Sequence, residues 1–469
     1  MYYTINGEIV IMKLHRFTAL FFALILTVMT AVVPAYAVED IDIDATAVLL
    51  LDGESETVLY EKNAHERRYP ASITKVMTAL LVVEAIDRGE LRLEQPITAS
   101  ANAVSSLPAD ASTAGIDPGE TLTVEQLLYC LLVVSANEVG NIFAEELCGT
   151  VTAFVGEMNK RAEELGCEDT HFVNTSGLPD DNHYSTAWDI WLITREAMKY
   201  DLFMTVFNTK AYAIADDPAT AHIDETHDLH STNLLISNWR ALGYLYSGAQ
   251  GIKTGTTDAA GHCLVSTAVR ADRSLVSVML GCEAVPDPIN GGKVANTFIE
   301  TPRLFDWGFS NFATRTVLSA DEMICEVPVA LSQQTNHVVV HPAYDATAVL
   351  PNDLEIEDLQ RNITLDYEVV NAPITAGDRL GEITLSYGDT EYVTVPLLAM
   401  SDVSASRFLI MKTALIHFFS HRLVHLALVL LAIILVLVLL FGRRMMQRRR
   451  YGNPRNKRIH HKSYRGRRF

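Results

Sequence analysis

The sequence predicts an α+β protein. Strand-forming segments stand both before and after a block of helices, a run of short strands follows, and one long apolar helix lies near the C-terminus. Three observations carry this. Val- and Leu-rich alternation over Ala45 to Tyr60, and again over His262 to Val269 and Leu275 to Cys282, brackets helix-like apolar spacing at Val124 to Val134, Val139 to Leu147 and Val151 to Leu165. Beyond Phe312 the texture becomes short strands broken by Pro, Asp and Gly. Leu423 to Gly442 is apolar except for His425 and is long enough to cross a bilayer as a helix.

In chain order, Lys13, His15 and Arg16 precede the apolar run Phe17 to Val33, and Ala35-Tyr36-Ala37 supplies a small-x-small cleavage pattern. Residues 1–37 therefore read as a secretory signal cut after Ala37, with Met12 a more natural start than Met1. The apolar run is short for an uncleaved span. Residues 38–312 form the main domain. A strand and a turn-like stretch lead to Pro70 and a helix over Ser72 to Asp87, a helical subdomain follows, and a hairpin turns at Arg270-Ala271-Asp272-Arg273. Residues 313–400 form a small β-rich domain with strands at Asn336 to His341, Ile363 to Val370, Gly381 to Tyr387 and Tyr392 to Leu398. Residues 401–422 are a juxtamembrane linker, 423–442 the transmembrane helix and 443–469 a basic tail.

The charge is segregated along the 469 residues. Twelve basic and no acidic side chains lie in the tail, whereas Val38 to Met411 carries 56 acidic against 21 basic. An acidic body argues against nucleic acid as a partner. Positive residues stay on the cytoplasmic side, which places the tail inside, the body outside and the protein in the cytoplasmic membrane. None of the six cysteines forms a CxxC pair or fits a zinc module. Cys263 and Cys282 could face one another on neighbouring strands. His222, Asp224, His227, Asp228 and His230 crowd one polar loop, which reads as surface; no metal and no cofactor is expected.

Three short motifs carry chemistry. Ser72-Ile73-Thr74-Lys75 puts a hydroxyl and an amine on one helix face, where the amine can take the proton of a serine nucleophile. Lysine titrates near 10.4, so burial or a neighbouring cation must lower it before it serves as a base. Ser135-Ala136-Asn137 closes an apolar helix and offers a second hydroxyl for proton relay and an amide to orient Lys75 or hold substrate. Ser231-Thr232-Asn233 has the same form but lacks the apolar lead and reads as a decoy. Lys253-Thr254-Gly255, followed by Thr256, lies at the edge of the hairpin. Lys253 supplies the neighbouring charge, Lys253 and Thr254 can grip a carboxylate, and Gly255 lets a ligand backbone approach.

Each motif alone is common; the three in this order are specific. With Tyr69 to Thr78, Asn174-Thr175-Ser176-Gly177-Leu178 and His183 to Ala187, the chain from about Ala45 to Leu398 resembles the low-molecular-mass penicillin-binding proteins, the D-alanyl-D-alanine carboxypeptidases of serine peptidase family S11. The resemblance implies a penicillin-binding/β-lactamase-like antiparallel sheet sandwiched by helices, a β-rich domain and C-terminal membrane attachment. It also implies peptidoglycan stem peptides as substrate and β-lactams as covalent inhibitors. Residue by residue it implies Ser72 as nucleophile, Lys75 as base, Ser135 in proton transfer, and Asn137, Lys253, Thr254, Gly255 and Thr256 in substrate binding. The backbone N–H groups of Ser72 and Thr256 would form an oxyanion hole. His183 reads as structural support. Ala136 departs from the more usual glycine of the middle motif, and its methyl is expected to tighten the backbone there. A class A β-lactamase would show a glutamate near 174–178, which is absent. Transpeptidase or endopeptidase action, or a catalytically dead scaffold, are the competing readings.

Overall fold

The computed structural model describes residues 40–105, 107–214 and 227–450. The expected signal segment and the end of the basic tail lie outside them. The chain divides into two compact units, one running to Val317 with 347–360 and 386–393, the other taking 318–346, 361–385 and the residues from Thr394 on.

The first unit is built on a five-stranded antiparallel sheet. Its strands are β1 (Ala47–Asp52), β2 (Val58–Lys62), β3 (Ala249–Thr257), β4 (Gly261–Arg270) and β5 (Arg273–Cys282), in the order β2-β1-β5-β4-β3. All six residues of β1 are buried. Side chains alternate across a strand, so Ala47, Leu49 and Leu51 enter one core while Val48 and Leu50 enter another on the opposite face. Burial on both faces is why this strand reads as a continuous apolar run, and it requires cover on both sides. The first core packs helices α1 (Lys75–Asp87), α2 (Val124–Val133), α3 (Asn137–Cys148), α4 (Val151–Glu164), α5 (Ala187–Ala197) and α6 (Asp201–Phe207); the second packs α7 (Thr297–Asn311). The expected sandwich is thus observed.

Local signals place the elements. Thr123 and Gln126 form a capping box at the start of α2. Thr150 and Thr186 cap α4 and α5 through their hydroxyls. Arg270 pairs with Arg273 across the hairpin turn, where sequence placed it. Ala45 to Tyr60 resolves into two strands joined at Asp52, whose carboxylate accepts from the amides of Glu54 and Ser55 (3.2 and 3.0 Å). The reading of the sequence passed over α5, α6, α7 and β3.

A six-stranded sheet drawn mainly from the second unit runs in the order Gln360–Leu365, Arg379–Tyr387, Thr390–Ala399, His337–Pro342, Cys325–Ala330 and Val370–Asn371. The predicted strand Ile363 to Val370 is therefore split between the two edges. The stretch expected as a linker holds helix α8 (Arg407–Ser420), and α9 (Arg422–Arg450) follows. Of the described residues, α9 is the one helix long and apolar enough to cross a membrane, with a mean hydropathy of 3.4 and none of that window buried.

Candidate active site

Ser72 sits in a 3-10 turn, Ala71–Thr74, from which α1 continues at Lys75. That turn aligns the serine with the positive end of the helix. Lys75 has no exposed surface, and its Nζ lies 2.9 Å from Ser72 Oγ, 2.6 Å from Asn137 Oδ1 and 3.0 Å from the Ser176 carbonyl oxygen. Two of these partners can only accept, whereas the hydroxyl can donate or accept. A neutral amine would satisfy all three, giving its two N–H groups to the carbonyl oxygens and its lone pair to the Ser72 O–H. Burial first, and then the charge of Lys253, hold Lys75 well below its ordinary value, with Glu138 opposing.

The Ser176 carbonyl is a contact that sequence reasoning missed. Asn174 Oδ1 accepts from the amides of Ser176, Gly177 and Leu178 at 3.1, 2.7 and 3.1 Å, folding this loop into a tight turn. Gly177 has φ +87°, and a Cβ there would run into the Ala71 carbonyl, so this turn can press against the Ala71–Thr74 turn only with glycine. The Asn-x-x-Gly pattern was the available signal.

Ser135 is the residue of the middle motif in the left-handed region, at φ 65°. Its buried hydroxyl has no hydrogen-bond partner among the described residues. Ala136 is fully buried at φ -61°, ψ 121°, an ordinary extended conformation. Asn137 opens α3, bonded to Lys75.

On the facing strand β3, Lys253 is 1% exposed and donates to the Thr254 carbonyl (2.9 Å). Burial, then Arg240, lower it to about 7. Thr254 and Thr232 share a hydroxyl–hydroxyl bond of 2.5 Å. The amide of Thr232 donates to the Val133 carbonyl (3.3 Å), and Asn233 Nδ2 donates to the Gly251 carbonyl (2.7 Å). The segment read as a decoy is therefore a strut between the end of α2 and β3. A Cβ on Gly255 would stand 3.1 Å from the Ser72 amide nitrogen, which brings the strand against the turn that carries Ser72. Thr256 Oγ1 contacts His262 Nδ1 (3.0 Å) and lines a cleft of about 900 Å³ with Tyr69, Asp181, Tyr184 and Asp258. Ser72 does not line this cleft.

His183 lies behind the site. Its Nδ1 accepts from the Val173 amide (3.1 Å), so Nε2–H donates to Thr74 Oγ1 (2.8 Å). Burial pushes its value from 6.5 down to about 4. The unfolded chain takes up that proton first, so the stability His183 contributes is complete above about pH 6.5 and is lost as pH falls toward 4, by up to about 3 kcal/mol. His183→Gln, which cannot titrate, should flatten the decline of the urea midpoint across that window.

All six cysteines are free thiols, including Cys263 and Cys282, which lie on the paired strands β4 and β5. Burial pushes Cys263 up to about 11. Of the crowded histidine loop, His222 and Asp224 lie outside the described residues, and His230 stacks on Trp239 at 3.6 Å. No group of three or more His, Cys, Asp or Glu side chains that could hold a metal occurs among the described residues.

Comparison with known proteins gives consistent matches. The D-alanyl-D-alanine carboxypeptidase family matches residues 33–284, and the C-terminal domain of penicillin-binding protein 5 matches residues 312–405. The chain is 28% identical over 366 residues to D-alanyl-D-alanine carboxypeptidase DacF of Bacillus subtilis, covering 78% of this chain and 87% of that one. It is 32% identical to the D-alanyl-D-alanine carboxypeptidase of Streptomyces sp. strain K15 over 263 residues, 54% of this chain and 86% of the other. Penicillin binding protein 5 from Haemophilus influenzae superposes with a TM-score of 0.61 at 26% identity, covering 78% of this chain and all of that structure.

Proposed function

Because the chain belongs to the D-alanyl-D-alanine carboxypeptidase family, the low-molecular-mass penicillin-binding proteins of serine peptidase family S11, we propose that it removes the terminal D-alanine of peptidoglycan stem peptides through an acyl-enzyme on Ser72. The observation that carries the reading is the buried Lys75 amine, 2.9 Å from Ser72 Oγ and held by two carbonyl oxygens.

In this scheme Lys75 takes the Ser72 proton as Oγ attacks the penultimate D-alanine carbonyl. The developing oxyanion is held by the backbone N–H groups of Ser72 and Thr256, where loss of one donor typically costs on the order of 100- to 1000-fold in rate. Lys253 and Thr254 bind the terminal carboxylate, with Thr232 orienting the Thr254 hydroxyl. Asn137 aligns Lys75 and the substrate backbone, Gly255 admits that backbone, and the unpartnered Ser135 hydroxyl relays the proton to the leaving amine. Water then releases the shortened stem. A β-lactam enters the same path and stays bound as an acyl-enzyme. The segments expected as 1–37, 38–312, 313–400, 401–422, 423–442 and 443–469 fit an exported enzyme with its catalytic body outside the cytoplasmic membrane, anchored by α9 with its tail inside.

The test is release of D-alanine from a pentapeptide stem by the detergent-solubilised chain. Free D-alanine without any added amine acceptor is the expected result. Product formed only with an amine acceptor would make the protein a transpeptidase, and no labelling by fluorescent penicillin would make it a dead scaffold.

A further inference from the structure

The helix turn that supplies Asn137 also carries a carboxylate without a part in the scheme above. Glu138 has no exposed surface. Its Oε1 accepts from Thr113 Oγ1 (2.7 Å) and from the Ala114 amide (2.7 Å), while Oε2 has no hydrogen-bond partner among the described residues. One residue earlier, the Asn137 amide donates to the Ser112 carbonyl (2.9 Å). Two successive residues of α3 thus hold three successive residues of a loop whose Ser112 and Thr113 side chains are exposed. Burying a carboxylate without a bonded cation is costly, and a leucine would fill the space more cheaply. Hydrogen bonds to an ionised acceptor are about twice as strong as neutral ones, which suits a clamp on an otherwise loose loop.

We infer that Glu138 is a positioning residue of the acyl-transfer site, clamping residues 112–114 onto the turn that carries Asn137 and so fixing the oxygen that holds Lys75. The inference rests on the assignment of Ser72 and Lys75 above. Its reach is short: Asn137 is the neighbour of Glu138 in sequence, and its Oδ1 makes the shortest of the three contacts to Lys75. The Glu138 charge also acts directly. The charged groups facing Lys75 are Lys253 on β3, which lowers its value, and Glu138 on α3, which raises it; the Cys130 thiol of α2 faces Glu138 as well. Acylation needs neutral Lys75 and rises with pH through the Lys75 value. Removing the Glu138 charge lowers that value further, so the acid limb moves to lower pH.

The experiment uses the full chain in detergent with Glu138→Gln, Glu138→Ala and Thr113→Val. It records the rate of labelling by fluorescent penicillin against pH and amide hydrogen exchange over residues 112–115. Glu138→Gln keeps an oxygen that can accept both bonds. It should label within about tenfold of the unaltered protein, with its acid limb displaced downward, a change that a purely structural role would not produce. Glu138→Ala should lose about 100-fold in rate, the scale of a small misplacement at a reacting centre, and exchange the Ala114 amide faster. Thr113→Val, altered on the exposed side, should lose several-fold in rate with its acid limb in place.

A Glu138→Ala protein that melts and labels like the unaltered one overturns the proposal. So does a Glu138→Gln protein with an unmoved acid limb. Should Glu138→Ala fail to fold, Thr113→Val decides: unchanged labelling together with unchanged protection of Ala114 sinks the clamp. Amide exchange reads the clamp without chemistry, so an unaltered protein that takes no label counts against the Ser72 reading, while the exchange data still decide for or against Glu138.

Discussion

Lys75→Arg is expected to lower acylation by fluorescent penicillin by on the order of 10,000-fold, close to the background left by Ser72→Ala. The substitution keeps a positive group of similar reach on the same helix face. It removes the ability to accept a proton, because a guanidinium stays charged throughout the accessible pH range. At Lys75 the low titration comes from burial first and from Lys253 second, and both would only disfavour a permanent cation. The buried guanidinium is also expected to destabilise the fold by about 3–5 kcal/mol, so thermal unfolding must be followed in parallel. A Lys75→Arg protein that folds and acylates within tenfold of the unaltered chain would remove Lys75 as the base and leave the Ser135 hydroxyl as the group to examine.

How much of this site was legible beforehand follows from how each part is encoded. Ser72, Lys75, Ser135, Asn137, Lys253 and Thr254 stand in short motifs, because a hydroxyl and an amine three residues apart on a helix meet through local geometry alone. The sandwich was legible in part, since β1, β4 and β5 are buried strands with strong β-branched and Leu content, whereas α7 begins Thr297-Phe298-Ile299 and carries Pro302 inside it. Those residues weaken helical periodicity, and packing on the sheet overrides them. What stayed hidden acts through backbone atoms or at a distance. The Ser176 carbonyl reaches Lys75 by virtue of an asparagine-led turn 101 residues away in sequence. Thr232 belongs to the segment set aside as a decoy of the middle motif; its place was what stayed hidden, since its hydroxyl and amide and the Asn233 side chain join α2 to β3. Glu138 reads in sequence as one more acid in an acidic chain; that it is fully buried depends on a loop folding over it.

Lys253→Met is expected to separate activity from stability in opposite directions. Lys253 is buried and lowered to about 7, by burial and then by Arg240. Its value in the unfolded chain is 10.5, so between those limits the unfolded state binds the extra proton and folding is favoured as pH rises. The stability tied to this group is whole above pH 10.5 and falls as pH drops through 7, where keeping the ammonium buried costs roughly 3 to 5 kcal/mol. Methionine fills similar space without charge, so the variant should melt higher than the parent at pH 7, with the gap closing toward pH 10. Activity should move the other way. In the proposed scheme Lys253 grips the terminal carboxylate, so losing it should cut D-alanine release by on the order of 100- to 1000-fold, the cost of leaving a bound charge unpaired. What activity remains should have its acid limb displaced upward, because Lys75 has lost the charge that helped to lower it, although burial still holds it below an ordinary lysine. In the parent, the alkaline limb of the free enzyme should fall near pH 7 as Lys253 gives up its proton, and a carboxylate ligand should carry that limb upward by stabilising the ammonium. An enzyme whose melting temperature drops on Lys253→Met at pH 7, or whose alkaline limb is unchanged by the substitution, would place the carboxylate-binding charge elsewhere, with Arg240, whose charge acts on Lys253, the next residue to test.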